Sequence, residues 1–273
     1  MFKFSARRSL IVALALFTFV AFTVITSANH SWNGYHWARQ SNPFTIKLGD
    51  NVNSAWDPYL ATTSSDWSQS TVLNTTVVAG GTSPRSCRPT TGRVEVCNAS
   101  YGNTGWLGVA QVWANGSHIT QGTVKLNDYY FNQAKYNTPA WRNLVTCQEV
   151  GHTLGLDHQD TNFDNPNLGT CMDYTNDPST NQHPNRHDYD ELVTIYSHLD
   201  NTTTIQLAQQ MPPAMNDIDL REPAQWGRVI DQSENGRYML FEQDFGGGHK
   251  VFTFVTWADP EDVKRQPVDR RQQ

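Results

Sequence analysis

Charged side chains are scarce in this sequence of 273 residues. Asp, Glu, Lys and Arg together make up 17% of the chain, and the formal net charge is −6. Proteins that bind nucleic acid carry a basic patch or stripe, and this sequence shows none. We therefore expect no nucleic-acid partner. The composition is typical of a secreted protein whose surface is polar but largely uncharged.

Long apolar runs are also scarce, and the one that stands out lies at residues 10–25. Basic residues precede it and small residues at 26–28 follow it, which is the order of a secretory signal peptide. The run is short for a membrane span, which needs about 20 apolar residues. We predict that residues 1–28 are a cleaved signal and that the remaining chain is extracellular and not bound to a membrane. An uncleaved N-terminal anchor, with the rest of the chain facing outside, is the alternative.

The segment from Gln148 to His158 concentrates side chains that can bind a metal ion. Positions four apart share one face of a helix, so Gln148 and His152 point the same way. Gly155 can adopt the left-handed conformation that ends a helix, and the chain can then return His158 toward the same point. Three protein ligands and an open position for water are typical of a hydrolytic zinc site. Glu149 lies beside them as a candidate general base.

These residues resemble a known family. The pattern Q-E-x-x-H-x-x-G-x-x-H at residues 148–158 is similar to the zinc signature H-E-x-x-H-x-x-G-x-x-H of the metzincin metalloproteases. Residues 169–174 resemble the Met-turn that follows it, with Met172 under the metal. Tyr174 resembles the metal-proximal tyrosine of the astacin and serralysin branches. Gln148 departs from the family, whose first ligand is His, but the gametolysin-type metalloproteases resemble this chain in carrying Gln there.

The resemblance implies an α+β, metzincin-like zincin domain that binds Zn²⁺ and hydrolyses peptide bonds in a protein or peptide substrate. We expect such a protein to be a monomer. The functional residues that the resemblance implies are the zinc ligands Gln148, His152 and His158, the general base Glu149, Tyr174 as a stabiliser of the tetrahedral intermediate, and Met172 and Gly155 as structural residues.

Gln148 leaves alternatives to the peptidase open. A carboxamide oxygen is a poorer zinc donor than imidazole, so the chain can instead be a catalytically inactive module that keeps the fold for binding or adhesion. The intact Glu149 and Tyr174 argue against that loss. Hydrolysis of a non-peptide amide is another alternative, which the sequence does not exclude.

Four cysteines allow three disulfide connectivities. Cys87 and Cys97 are close in sequence, whereas Cys147 lies on the predicted zinc helix and Cys171 is next to Met172. We favour Cys87–Cys97 with Cys147–Cys171, because the second disulfide would tie the zinc helix to the Met-turn.

An oxygen-rich loop lies between the third predicted ligand and the Met-turn. Such loops can hold Ca²⁺, but Asp and Asn also favour turns without a metal, and we prefer the second interpretation. The residues are Asp157, Asp160, Asn162, Asp164 and Asn165.

The local patterns predict an order of strands and helices. In the family, an extended substrate pairs with an edge strand that precedes the zinc helix, and the strand near Val109 and the one near Val124 are both candidates. We interpret His36 and His118 as structural or surface groups rather than ligands. The predicted strands are 44–48, 72–79, 93–96, 106–112 and 118–126, and the predicted helices are 53–70, a zinc helix that begins at Thr138-Pro139, and 188–199.

We predict a catalytic domain at residues 29–200 and an extension at 201–273, and no internal repeat is evident. The family resemblance covers roughly residues 35–199. The extension begins with a polar linker, continues with three short strands that form a small antiparallel sheet, and ends in a charged tail from Asp259 that we expect to be disordered.

Overall fold

The computed structural model describes residues 30–215, 222–233 and 235–264. The predicted signal peptide, residues 1–28, lies outside these ranges. The strands are β1 (His36–Trp37), β2 (Phe44–Asn51), β3 (Leu73–Ala79), β4 (Val94–Ala99), β5 (Trp106–Asn115), β6 (His118–Asn127), β7 (Arg228–Gln232), β8 (Tyr238–Asp244) and β9 (His249–Trp257). The helices are α1 (Asp57–Trp67), α2 (Asp128–Phe131), α3 (Pro139–Thr153), α4 (Arg186–Ile195), α5 (Thr204–Ala208) and α6 (Pro260–Lys264), with short 3-10 turns at Pro178–Thr180, Pro213–Met215 and Pro223–Gln225.

One mixed sheet forms the centre of the fold. Its strand order is β3-β2-β4-β6-β5-β9-β8-β7, and β1 pairs with the start of β6. The strands β3, β2, β4 and β6 pair in parallel, whereas β5, β9, β8 and β7 run antiparallel to their neighbours. The predicted α+β class with a mixed sheet is confirmed. All five strands predicted before the zinc helix are present and begin within one residue of the predicted position.

The main core lies between the sheet and the helices α1 and α3, which pack against each other. Trp56, Leu60 and Trp67, the apolar stripe of the first helical region, are almost fully buried there. Burial of each large apolar side chain contributes about 1.5–3 kcal/mol. The stripe is therefore part of the core, as its spacing predicts.

The C-terminal strands extend the central sheet. The strands β7, β8 and β9 form an antiparallel unit as predicted, but β9 also pairs with β5 along its whole length, from Trp106 opposite Trp257 to Asn115 opposite His249. The prediction that β5 or β6 is a free edge strand is therefore wrong, because both are paired on two sides. The physical reason is that β9 is apolar on both faces: Phe252 and Phe254 enter the main core, while Val251 and Val255 enter a second cluster.

The segments around these strands are more ordered than predicted. The predicted linker contains α5, whose N-terminus is capped reciprocally by Thr203 and Gln206. The predicted disordered tail begins with α6, and Lys135 binds the carboxylates of Asp259 and Asp262 there at 2.9 and 2.8 Å. Residues 265–273 lie outside the described ranges. No helix within those ranges is long and apolar enough to cross a membrane.

Candidate active site

Helix α3 carries the predicted zinc motif, and its two ends follow the sequence signals. The side chain of Thr138 accepts a hydrogen bond from the backbone N–H of Trp141, which caps the first turn. Just past the other end, Gly155 has a φ of +104°, and a Cβ there would lie 2.4 Å from the carbonyl oxygen of Tyr35. Glycine is the residue that tolerates both conditions, and this turn brings His158 back toward the helix.

A second glycine allows the Met-turn to approach the helix. A Cβ on Gly151 would lie 2.5 Å from the sulfur of Met172 and 2.8 Å from Cζ2 of Trp67. Met172 is completely buried against this face. The helix and the Met-turn are therefore in direct contact one residue before His152.

His152 and His158 lie together in the interior. Their ring centroids are 4.6 Å apart. Nδ1 of His152 donates to the carbonyl oxygen of Leu156 at 2.9 Å, and because a carbonyl can only accept, the lone pair of the neutral ring lies on Nε2. That Nε2 and both ring nitrogens of His158 are buried without a hydrogen-bond partner. Each unpartnered buried polar group costs about 1–3 kcal/mol, so this donor set fits a cation as the missing partner.

One carboxylate borders the histidine pair, and a second lies on the same helix as His152. Oδ1 of Asp157 lies 3.4 Å from Nδ1 of His158, and the ligand atoms of Asp157, His152 and His158 all lie within 4.8 Å of one another. Glu149 is fully buried and neither of its carboxylate oxygens has a hydrogen-bond partner. A Cβ on Gly108 of β5 would lie 2.6 Å from its Oε1, so this carboxyl group lies against β5. The only sequence signal for Asp157 as a site residue is its position directly before the predicted third ligand.

Gln148, which departs from the family signature, is hydrogen-bonded at both ends of its amide. Nε2 donates to the carbonyl oxygen of Cys171 at 2.9 Å, and Oε1 accepts from the hydroxyl of Thr256 at 2.8 Å. A carbonyl oxygen has two lone pairs, so one remains for another partner. Its role as a zinc ligand stays a prediction, and Asp157 is a second candidate oxygen donor.

Side chains from the C-terminal strands cover these groups. Phe254 of β9 stacks on His152 with ring centroids 4.3 Å apart. Tyr238 of β8 packs edge-on against His158 at 4.5 Å, and its hydroxyl donates to Oδ1 of Asp157 at 3.2 Å. None of the predicted zinc ligands is more than 6% exposed. No motif in the extension indicates this contact with the site.

Burial sets the protonation of the site in the metal-free protein. Burial and the neighbouring His158 lower the pKa of His152 to about 3, and burial also lowers the pKa of His158. Both rings are therefore neutral near pH 7, which is the form that binds metals. Burial raises the pKa of Glu149 to about 8, so this carboxyl group holds a proton near pH 7, and a cation bound nearby would lower that pKa.

Tyr174 forms one wall of the site. Its ring stacks on His158 with centroids 4.0 Å apart. Burial raises the pKa of Tyr174 well above its ordinary value, so the hydroxyl keeps its proton. That hydroxyl is buried and has no hydrogen-bond partner, which leaves a donor next to the imidazole.

Both disulfides favoured from the sequence are present. Cys87 is joined to Cys97, and Cys147 on α3 is joined to Cys171 beside the Met-turn. The bond that Gln148 donates to the carbonyl oxygen of Cys171 lies on the same connection. Disulfides of this kind fit an oxidising extracellular environment.

The oxygen-rich loop forms turns. Oδ1 of Asp160 accepts from the backbone N–H of Asn162, whose own side-chain oxygen accepts from the N–H of Asp164, and Asn165 donates to the other oxygen of Asp160. Within the described ranges, the groups of His, Cys, Asp and Glu that could hold a metal do not include Asp160 or Asp164. The structure gives no support for a calcium site here.

Comparisons with known proteins add little to this geometry. No family model matches the sequence, and no curated protein matches it. Among solved structures, the chain is similar to high choriolytic enzyme 1, a hatching enzyme zinc-protease from Oryzias latipes (medaka fish), at 12% identity, covering 61% of this chain and 96% of that one, with a TM-score of 0.33. It is also similar to myroilysin at 13% identity, covering 59% and 86% of the two chains, with a TM-score of 0.31. At these values the likeness carries no argument about function, which rests on the site itself.

Proposed function

We propose that this chain is a secreted zinc metalloendopeptidase. The observation that carries the proposal is the pair of buried neutral imidazoles, His152 and His158, whose unpartnered nitrogens lie together, with a fully buried Glu149 three residues before His152 on the same helix. Buried polar atoms are rarely left unpartnered unless a ligand satisfies them. Two histidines and a nearby oxygen donor are ligands of the kind found in catalytic zinc sites. A separate carboxylate can serve in such sites as the general base.

The residues present divide the chemistry between them. Bound zinc would supply Lewis-acid activation of a peptide carbonyl and of the attacking water. His152 and His158 would hold the ion together with an oxygen from Gln148 or Asp157. Glu149 would accept the proton of the attacking water and deliver it to the leaving amine.

Tyr174 would assist the same reaction. Its O–H is buried, protonated and unpartnered, so it can donate to the oxygen on which negative charge develops in the transition state. The stacking of its ring on His158 would orient the hydroxyl relative to the metal ligands.

A second candidate function is a non-catalytic binding or adhesion module with the same fold. One observation favours it: β9 occupies the whole open side of β5, and Thr256 holds the oxygen of Gln148. A peptide cannot pair with β5 in this arrangement. The peptidase therefore requires that β9 leave β5 during activation, whereas the binding module does not.

The test compares the mature chain with Glu149→Gln, which keeps the shape of the side chain and removes the base. We expect the wild-type protein to bind zinc and to hydrolyse a fluorogenic peptide library at the low rate that transient release of β9 allows, in a manner abolished by a zinc chelator. Glu149→Gln should lower the rate by about 100-fold or more, as general-base contributions do, and leave the zinc content unchanged. Glu261→Gln, an exposed position outside the site, is the matched control.

Hydrolysis that persists in Glu149→Gln at unchanged zinc content would reject Glu149 as the general base. Zinc bound without any hydrolysis, even after β9 has been released by Val255→Asp, would reject the peptidase and favour the binding module.

A further inference from the structure

A second group of histidines lies where β1, β6 and the segment after α4 meet. His36 and His118 are register partners in the β1–β6 pair, and His198 and Asp200 follow α4. Oδ1 of Asp200 lies 3.1 Å from Nε2 of His118, 3.4 Å from Nε2 of His36 and 3.6 Å from Nε2 of His198. Nε2 of His36 and Nε2 of His198 are 3.2 Å apart. Three imidazole nitrogens therefore surround one carboxylate oxygen, and the ligand atoms of His36, His198 and Asp200 all lie within 4.8 Å of one another.

The spacing of the ligand atoms of His36, His198 and Asp200 is that of ligands around one small cation, and His118 contacts the same carboxylate oxygen. Zinc binds imidazole nitrogen and carboxylate oxygen at about 2.0–2.2 Å in tetrahedral sites, which places neighbouring ligand atoms about 3.3–3.6 Å apart. The three separations among Nε2 of His36, Nε2 of His198 and Oδ1 of Asp200 are 3.2–3.6 Å and cover that range. Three histidines and one aspartate also form a donor set that suits zinc.

Hydrogen bonds around the cluster orient its atoms for a cation. Nδ1 of His36 donates to the carbonyl oxygen of Gly34 at 2.7 Å, so the neutral ring turns its Nε2 lone pair toward Asp200. A lone pair and a carboxylate oxygen repel each other unless a proton or a metal ion lies between them. The other oxygen of Asp200 accepts from the backbone N–H and Nη1 of Arg39 at 3.1 and 2.8 Å. Metal ligands are commonly fixed by outer hydrogen bonds of this type.

We propose that His36, His118, His198 and Asp200 form a second metal site, with Zn²⁺ as the ion of choice. Four protein ligands would close the coordination sphere, which is the arrangement of structural zinc sites. The ion would tie the N-terminal strand and the start of β6 to the chain after α4. His198 is half exposed and gives the ion a route in from solvent. His36 and His118 are then ligands, in contrast to the interpretation from the sequence.

Zinc stoichiometry tests this site separately from the active site. We expect two zinc ions per wild-type chain, one in His198→Ala, and one in a His152→Ala/His158→Ala double variant. His183→Ala, which removes another half-exposed histidine paired with a carboxylate, is the matched control and should keep two. In a competition with a chromophoric chelator, the affinity of the second site for zinc should be at least tenfold lower in His198→Ala than in the wild-type protein.

A spectroscopic measurement tests the cluster without His198→Ala, in case that variant folds poorly. Zinc-edge X-ray absorption of the His152→Ala/His158→Ala variant reports the cluster alone, and we expect four ligands at about 2.0–2.1 Å with imidazole scattering. Unchanged zinc content in His198→Ala, or no zinc in the double variant while its circular dichroism is native, would overturn the proposal. In that case protons, not a metal, hold the cluster together.

The hairpin formed by β8 and β9 covers the predicted site residues and pairs with β5. In the proposed peptidase, an extended substrate would pair with the open side of β5, and β9 holds that side along its full length. The same hairpin places Phe254 on His152 and gives the Thr256 hydroxyl to Gln148. Substrate and hairpin therefore require the same backbone groups and the same space.

We infer, on the basis of the proposed peptidase function, that this hairpin keeps the enzyme latent until it is displaced. The hairpin belongs to the same chain and needs no separate inhibitor. The face of the hairpin that points away from the active site is held by apolar packing, because Val251 and Val255 pack with Trp113 and Trp226 in the second core cluster. A substitution there can release β9 without altering a site residue.

The test substitution is Val255→Asp, which buries a charge in that cluster. The matched control is Val229→Asp on the exposed strand β7, which pairs with β8. It adds the same charge without a packing defect. We expect Val255→Asp to hydrolyse the peptide library at least tenfold faster than wild type, and Val229→Asp to match wild type. If the aspartate variant folds poorly, the milder substitution Val255→Ala takes its place, and we expect it to give a smaller increase in the rate of hydrolysis. Hydrogen exchange of the β9 amides measures the release directly.

The outcomes separate latency from the peptidase function. Equal hydrolysis by wild type and by Val255→Asp with a released β9 would overturn latency and leave the peptidase intact. No hydrolysis by any variant, with zinc bound and β9 exchanging rapidly, would overturn the peptidase and latency with it.

Discussion

Removing the Cys147–Cys171 disulfide should destabilise the protein more than removing Cys87–Cys97. The two disulfides span 24 and 10 positions of sequence. The loss of chain entropy in the unfolded state gives about 3.5 kcal/mol for the longer loop and about 2.7 kcal/mol for the shorter one. The difference of about 0.8 kcal/mol is a lower limit, because Cys147–Cys171 also holds the Met-turn against α3. The carbonyl oxygen that accepts from Gln148 belongs to the same Cys171.

Urea denaturation of the two double-alanine variants measures both free energies of unfolding. For a chain of this size, about 3.5 kcal/mol corresponds to a fall in melting temperature of about 7–14 °C. We also expect weaker zinc binding at His152 and His158 in Cys147→Ala/Cys171→Ala and unchanged binding in Cys87→Ala/Cys97→Ala. If the longer loop cost less than the shorter one, or if zinc affinity were equal in both, the Met-turn would not depend on this disulfide.

Further predictions concern the turn, the variable ligand and a helix cap. Gly155→Ala should cost about 1–3 kcal/mol more than Gly169→Ala in urea denaturation, because both have positive φ but only Gly155 faces the Tyr35 carbonyl oxygen at 2.4 Å; equal losses would contradict the contact. If Gln148 is a ligand, Gln148→His should tighten zinc and Gln148→Ala should weaken it in a chelator competition, and unchanged affinity in both would exclude the role. Asn185→Ala should cost about 1 kcal/mol of unfolding free energy, since Asn185 caps α4 in a capping box, and a loss near zero would show that the cap contributes nothing.

The strands before α3 were predictable because their signals are local. Alternation of apolar residues marks β2, and Thr138 followed by proline marks the start of α3. Gly155 marks its end, because the left-handed turn there requires glycine. These features depend on a few neighbouring residues each.

The partners of the C-terminal strands were not predictable in the same way. Alternation in β9 predicts a strand, but no local feature states that it pairs with β5 more than 130 positions earlier. The second histidine cluster has the same cause: the pairing of β1 with β6 brings His36 to His118, and Asp200, which joins them, is 164 positions from His36. Contacts that depend on topology leave little trace in one sequence.

The amide of Gln148 connects the question of the ligand with the question of the hairpin. Its oxygen accepts from Thr256 in the closed arrangement and keeps one lone pair. Zinc and the hairpin therefore need not compete for this atom, and zinc can bind while the protein is latent. Zinc content alone then cannot report activation, whereas hydrogen exchange in β9 can. Imidazole would have only one lone pair, so at position 148 it could not accept from Thr256 and bind zinc through the same atom. A glutamine at this position is thus compatible with a metal site that is loaded before the hairpin is released.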